Sequence, residues 1–292
     1  MTTEPSPVSV SAALAHAASL LRASGSAVLD AQVLLAHVLG CSRVDLMVRG
    51  EEPLTAARHA EFERTVLRRA EGEPLAYITG SREFWSLPLR ITPDVLVPRP
   101  ETELVVERCL ALLAEPNCAA LDMGTGSGAI ALALAWERRE WTITATDRST
   151  AALAVARANA AALGISNVQF VLSDWYSELS TGRYDLIASN PPYVAAGDPV
   201  LHDPVLRHEP LAALASGASG LEDLTRLVAG APARLRGGGW LVLEHSPEQA
   251  EKLAESLVAQ GFTHVRCHVD LAGQARVCEA QWPGDADPTT RT

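Results

Sequence analysis

Lysine is almost absent from this chain: Lys252 is its only one, and arginine carries the rest of the basic charge. With 24 basic against 35 acidic residues the net charge is −11, so the molecule lacks the long-range positive field that attracts a polyanion. No direct nucleic-acid partner is expected. Cysteine is scarce too. Cys41, Cys109, Cys118, Cys267 and Cys278 are odd in number and scattered, with no Cys-x-x-Cys pair, so neither a disulfide framework nor a zinc site is expected. The eight histidines include no His-Glu-x-x-His helix, and no metal is assigned. No apolar run approaches the roughly 20 residues that span a bilayer. Met1 to Pro7 lack the basic-then-apolar order of a signal peptide, so the expected protein is cytoplasmic, free of membrane and monomeric.

What is present is ample material for a core. Of 292 residues 48% are hydrophobic, enough for one large domain and a smaller one. Residues from Val10 to about Gly72 recur at helix spacing. One period runs behind Ser9 or Ser11 as cap, a second from Val28 to Gly40, a short third from Arg43 to Val48, and a fourth from Thr55 to Gly72. This predicts a small helical bundle. Alternation around Phe84, Leu87, Leu89 and Ile91, with Pro88 inside it, predicts an edge hairpin between two domains. Beyond Pro98-Arg99-Pro100 the run Leu104 to Leu113 reads as a helix, and Arg99 and Glu101 are either a surface pair or face a ligand.

From Cys118 strands and helices alternate, which implies a mainly parallel sheet with right-handed crossovers. Predicted strands are Ala119 to Met123, Trp141 to Thr146, Val168 to Leu172, Tyr184 to Ala188 and Trp240 to Glu244. Gly237-Gly238-Gly239 is expected to turn the chain, and Thr263 to Val269 with Ala275 to Ala280 to close the sheet as an antiparallel pair. Predicted helices include Thr150 to Leu163, Leu221 to Ala233 and Ala250 to Gln260. The expected domains are a helical segment over 1–80, a hairpin linker over 81–98, an α/β domain over 99–282 and a disordered tail over 283–292.

The ends of successive strands carry the chemistry. Gly124-Thr125-Gly126-Ser127-Gly128 follows the first, where residues without Cβ let backbone approach a ligand. Alone it also satisfies the loose dinucleotide pattern, and a nicotinamide or flavin cofactor stays open on the loop by itself. Asp147 ends the second strand, placed to accept from ribose hydroxyls or to cap the next helix. Trp175 follows the third, as a stacking surface for adenine or a half-buried core residue. Ser189-Asn190-Pro191-Pro192-Tyr193 follows the fourth. There Asn190 and the Pro191 carbonyl offer two acceptors on a stiff loop, suited to a planar –NH₂ group, while Tyr193 adds an aromatic face.

This combination resembles class I methyltransferases that use S-adenosylmethionine and carry an Asn-Pro-Pro-Tyr loop. Within them it is similar to the peptide chain release factor glutamine methyltransferases, the PrmC/HemK family. The stretches Gly72 to Gly80, Arg82 to Trp85, Pro98 to Glu103, Ser173 to Trp175, Asn190 to Tyr193 and Glu209-Pro210 carry the likeness. The resemblance implies an α/β Rossmann-like methyltransferase domain, mainly parallel with a C-terminal antiparallel strand, plus the N-terminal helical bundle. It further implies that Gly124, Thr125, Gly126, Ser127, Gly128, Asp147, Trp175 and Asn190 contact S-adenosylmethionine. Asn190, Pro191, Pro192 and Tyr193 would hold the substrate glutamine, with Asn190, Pro191 and Tyr193 as the catalytic set. The helical domain would bind a class 1 release factor, whose Gly-Gly-Gln glutamine would be methylated on its amide nitrogen. The competing readings are a glutamine methyltransferase acting on a ribosomal protein, a DNA adenine methyltransferase, and a non-catalytic nucleoside-binding module.

Overall fold

The computed structural model describes residues 8–179 and 182–284. They form two compact units, one comprising the chain up to Ser81 with Asp203–His208, the other Arg82–His202 and the chain from Glu209 onward. The expected tail beyond Gly284 lies outside the described residues.

The first unit is helical because each segment pairs an apolar stripe with a cap. Ser9 accepts from the Ala12 N–H at the start of α1 (Val10–Leu20), and α2 (Ala27–Leu39) stops at Gly40, whose φ of +64° is left-handed. Ser42 and Asp45 form a capping box on α3 (Arg43–Val48), and Thr55 caps α4 (Ala56–Ala70). A short α5 (Leu75–Thr79) follows Pro74, an element the periodicity did not mark. Leu34, Leu35, Phe62, Val66 and Ile78 meet in the core. Asp30 is buried beneath it, but its charge is satisfied by Arg69 at 2.8 Å and by the hydroxyls of Ser24 and Ser26. Asp203–His208 joins this unit through Arg207, which donates to the Glu71 carbonyl at 2.6 Å.

From Arg82 the second unit opens on a two-stranded hairpin of β1 (Ser81–Phe84), whose first residue still counts with the helical unit, and β2 (Leu87–Arg90). Its turn residues Trp85 and Ser86 have φ of 51° and 58°, the double positive φ of a type I′ turn made without glycine or asparagine. Glu103 accepts the Trp85 N–H at 2.8 Å, and Asn159 exchanges two hydrogen bonds with the Arg90 backbone. The hairpin expected as a linker is therefore packed onto this unit.

The main sheet has seven strands: β3 (Ala119–Met123), β4 (Thr142–Asp147), β5 (Val168–Leu172), β6 (Tyr184–Ser189), β7 (Leu235–Glu244), β8 (Thr263–Val269) and β9 (Ala275–Gln281). Their order is 5-4-3-6-7-9-8, parallel from β5 to β7, with β9 antiparallel to both neighbours. Helices α6 (Glu103–Leu112), α7 (Ala129–Glu137), α8 (Thr150–Leu163), α9 (Glu222–Gly230) and α10 (Ala250–Ala259) lie between the strands in sequence. Helix α9 gives way to a 3₁₀ turn at Ala231–Ala233, because Pro232 has no N–H to continue the ladder. The order reverses between β3 and β6, so the loops after these two strands flank the crevice where open α/β sheets bind ligands.

Two expectations are corrected. Gly237-Gly238-Gly239 does not turn the chain but lies within β7, where the partner of β6 jumps from Leu235 to Trp240 while β6 advances from Tyr184 to Leu186. This is a bulge, and Gly239 is its tight point. Any Cβ there would stand 3.0 to 3.2 Å from the carbonyl oxygens of Arg236, Tyr184 and Asp185. Second, Cys267 and Cys278 are disulfide-bonded, facing each other in register across β8 and β9 with Cα atoms 4.1 Å apart. Strand register makes that pair, and sequence spacing alone carries no sign of it. Cys41, Cys109 and Cys118 are free thiols.

Gly239→Ala is expected to destabilise the protein by about 1–3 kcal/mol through overpacking against backbone that cannot move aside. Gly237→Ala, where the nearest atom would lie 3.4 Å away, should be much milder. Urea midpoints of the two variants check this, and equal midpoints would mean the bulge yields freely.

Candidate active site

The loop after β3 is built from left-handed backbone. Gly124, Gly126 and Gly128 have φ of 72°, 55° and 89°, which side chains bearing Cβ rarely adopt. A Cβ on Gly124 would lie 3.6 Å from the Trp175 ring, whereas one on Gly126 would meet nothing, so Gly126 opens onto free space. The loop is fastened from below. Thr125 donates its N–H to the Thr146 carbonyl and its hydroxyl to the buried Asp122, at 2.8 and 2.6 Å.

Asp147, at the end of β4, accepts the Gly126 N–H at 2.9 Å with one carboxylate oxygen and the Ser149 N–H at 2.8 Å with the other. The helix cap itself is Ser149. Each oxygen of Asp147 retains acceptor capacity for a ligand. Trp175 is half-buried after β5, and its indole N–H is held by Asp223 at 3.0 Å, which fixes the ring plane beside the glycine loop.

Together these groups line a cavity of about 180 Å³. Gly124, Gly126, Asp147, Trp175, Asn190 and Pro192 are on its wall; Thr125, Ser127, Gly128, Pro191 and Tyr193 are not. Thr125 and Ser127 are buried, and the Ser127 carbonyl accepts from Asn159 at 2.8 Å. Asp94, Arg148, Ser149, Ala213 and Asp223 are further wall residues that the sequence reading did not single out. Four aspartates (Asp94, Asp147, Asp174 and Asp223) stand against one arginine, so the field inside favours a cation.

After β6, Asn190 donates its amide nitrogen to Thr102 Oγ1 at 3.0 Å. Among the described residues no donor takes its Oδ1. The amide is thereby oriented, with its acceptor left for a ligand. Tyr193 departs from expectation. Its ring is partly buried against the core beneath the sheet, and its hydroxyl points to Glu244 Oε1 at 3.4 Å. It anchors the far end of the loop from beneath rather than presenting a face to the cavity. Arg99 pairs with neither Glu101 nor the cavity: it meets buried Glu209 at 2.5 Å, which also accepts the Val97 N–H at 3.1 Å.

Glu244 at the end of β7 therefore lies under the loop, fully buried, with Oε2 lacking a partner among the described residues. Burial pushes its carboxyl up to about 7, Thr102 and Tyr193 draw it back by hydrogen bonding, and Glu101 adds to the rise. Buried Asp122 is likewise raised to about 7, against hydrogen bonds from Thr125 and Ala131. An acid raised in the folded state keeps its proton where the unfolded chain has lost it, so the folded protein loses stability as pH climbs from about 4.5 to 7. Glu244→Gln removes one of these titrations while retaining an acceptor for Tyr193. Between about pH 5 and pH 8 the variant should lose less stability than the parent, by up to about 3 kcal/mol. Urea midpoints across that range check this; parallel profiles would contradict it.

Comparison with known proteins gives this site its family. The PrmC N-terminal domain family matches residues 12–80, and the methyltransferase small domain family matches residues 102–208. The release factor glutamine methyltransferase of Burkholderia pseudomallei is 47% identical over 97% of this chain and 99% of its own, and that of Yersinia pestis 46% identical over 92% and 97%. Among solved structures, a methyltransferase from Pyrococcus furiosus aligns over 68% of this chain and 90% of its own with a TM-score of 0.52 at 21% identity. The T. thermophilus 16S rRNA N2 G1207 methyltransferase, in complex with AdoMet and guanosine, aligns over 69% and 49% with a TM-score of 0.51 at 22% identity. At these identities the two structures establish the class I methyltransferase fold alone. Near-full-length identity to the curated proteins goes further: the chain belongs to the release factor glutamine methyltransferase family.

Proposed function

We propose that the protein methylates the side-chain amide nitrogen of the glutamine in the Gly-Gly-Gln motif of a class 1 peptide chain release factor, with S-adenosylmethionine as donor, in the cytoplasm. The observation that carries the reading is Asn190: one half of its amide is held by Thr102 and the other is left as an acceptor at the switch point of the sheet. Two features fit the donor. The four-aspartate wall suits a sulfonium and ammonium cation and disfavours the pyrophosphate of a dinucleotide, which the glycine pattern alone leaves open. Gly126, with open space in front of it on the cavity wall, leaves its backbone accessible to the donor.

In this reading Gly124 to Gly128 admit the donor to the backbone, Asp147 accepts from its ribose hydroxyls, and Trp175 offers a face for its adenine. When bound, S-adenosylmethionine supplies an electrophilic methyl on a sulfonium. The work left to the chain is positional, because an amide nitrogen is a poor nucleophile whose lone pair is delocalised. Orientation of reactants is worth roughly 7–11 kcal/mol at its upper end. Asn190 Oδ1 and the Pro191 carbonyl accept the two N–H groups of the substrate amide, and they stabilise positive charge that grows on nitrogen in the transition state. Transfer leaves a cationic N-methylated amide and a neutral thioether; the cation is strongly acidic and releases one nitrogen proton to water to give the neutral product. Tyr193 acts through the loop, whose lower end it ties to Glu244. The helical segment, residues 1–80, serves as the recognition domain for the release factor, ahead of a hairpin over 81–98 and a transfer domain over 99–282.

Incubating the protein with a class 1 release factor and isotopically labelled donor tests the assignment. Peptide mass spectrometry should place one labelled methyl on the Gly-Gly-Gln glutamine, and none when that residue is alanine. Label elsewhere, or only on a ribosomal protein, would overturn it. Asp147→Ala should weaken donor binding by roughly 10- to 100-fold, the loss of a charged acceptor. Calorimetry showing unchanged affinity would remove Asp147 from the donor's contacts.

A further inference from the structure

The residue after Glu244 carries chemistry that the transfer reaction does not use. His245 is completely buried, and its Nδ1 lies 2.7 Å from the Ser246 carbonyl. A carbonyl can only accept, so Nδ1 carries the hydrogen and Nε2 presents a lone pair. That lone pair faces sulfur: Nε2 is 3.2 Å from Cys278 Sγ. Cys267, across the strand pair, brings a second sulfur, and the three atoms lie within 4.8 Å of one another.

Here the sulfurs are joined as a disulfide, which leaves no thiolate to ligate a cation. Two-electron reduction by a thiol or phosphine adds two electrons and two protons, breaks the S–S bond and frees both sulfurs on rigid neighbouring strands. We propose that in this dithiol state His245 Nε2, Cys267 Sγ and Cys278 Sγ form a site for a soft divalent cation, Zn²⁺ above others. Binding releases the two thiol protons and forms one Zn–N and two Zn–S bonds. Tetrahedral zinc with bonds of about 2.0–2.3 Å sets ligand atoms about 3.5–3.8 Å apart, a spacing that the present separations bracket. The carbonyl behind His245 fixes the tautomer and ring orientation in the manner of outer partners at zinc sites. Burial also keeps the imidazole in its neutral, ligating form. Among the described residues no fourth histidine, cysteine or carboxylate joins the group, so water or an added thiol completes the shell on the side of exposed Cys267.

Full-length protein reduced with a phosphine tests this by titration with Co²⁺, followed by competition of Zn²⁺ against a chromogenic chelator. The reduced parent should take up one ion per chain and show thiolate-to-cobalt charge-transfer absorption, while the oxidised parent shows neither. Cys267→Ser, at an exposed position, should weaken Zn²⁺ binding by at least about tenfold and dim that band. Cys41→Ser, at a free thiol in the other unit, should change nothing. Absence of the thiolate band in the reduced parent, or equal affinity in Cys267→Ser, would reduce the pair to a structural staple.

Discussion

A single hydrogen bond sets the direction of the loop that matters most. Asn190 commits its amide nitrogen to Thr102, and a carboxamide with one end held presents the other end in a defined direction. At the other end of the loop the Tyr193 hydroxyl donates to buried Glu244, whose raised carboxyl pKa Thr102 helps to lower. The two ends of Asn190-Pro191-Pro192-Tyr193 are therefore each tied down, one to Thr102 and the other to buried Glu244, with two prolines stiffening the span between. A loop of this kind has little freedom left to lose on binding, which is the condition for catalysis by positioning.

Electrostatics accounts for which cofactor the crevice suits. A glycine-rich turn at the switch point of a parallel sheet is shared by folds that bind pyrophosphates and folds that bind sulfonium donors. The wall distinguishes them: Asp94, Asp147, Asp174 and Asp223 face a single Arg148, which itself donates to the Ala212 carbonyl at the rim. The wall thus presents acidic groups where a cationic ligand would enter.

Most of the sheet was legible in the sequence because parallel strands buried on both faces read as short apolar runs. The residues of β5 and α8 lie where periodicity puts them, and the ends of β3, β4 and β6 deliver Gly124, Asp147 and Asn190 to one crevice. What escaped depends on contacts distant in sequence. Thr102 and Asn190 are 88 positions apart, and Tyr193 and Glu244 are 51 apart, so no local pattern announces either pair. Tyr193 was read as an aromatic face for the ligand from its place on the loop after the fourth strand; its partial burial follows from the core that α9, α10 and β7 build beneath it. The glycine run was read as a turn, although partner carbonyls on β6 demand glycine within a continuing strand. The Cys267–Cys278 bond likewise follows from the register of β8 on β9.

The central claim is that Asn190 acts on the substrate amide in the transition state rather than merely shaping the pocket. Single-turnover methylation of excess release factor by Asn190→Ala, with donor affinity measured on the same preparation, tests it most directly. Transfer should fall by on the order of 100-fold or more while donor affinity changes much less. Asn190→Asp, which keeps an acceptor oxygen but adds a charge that must be desolvated, should recover only part of the rate. Transfer at the parent rate by folded Asn190→Ala would contradict the account, because the amide would then be held by something other than this loop.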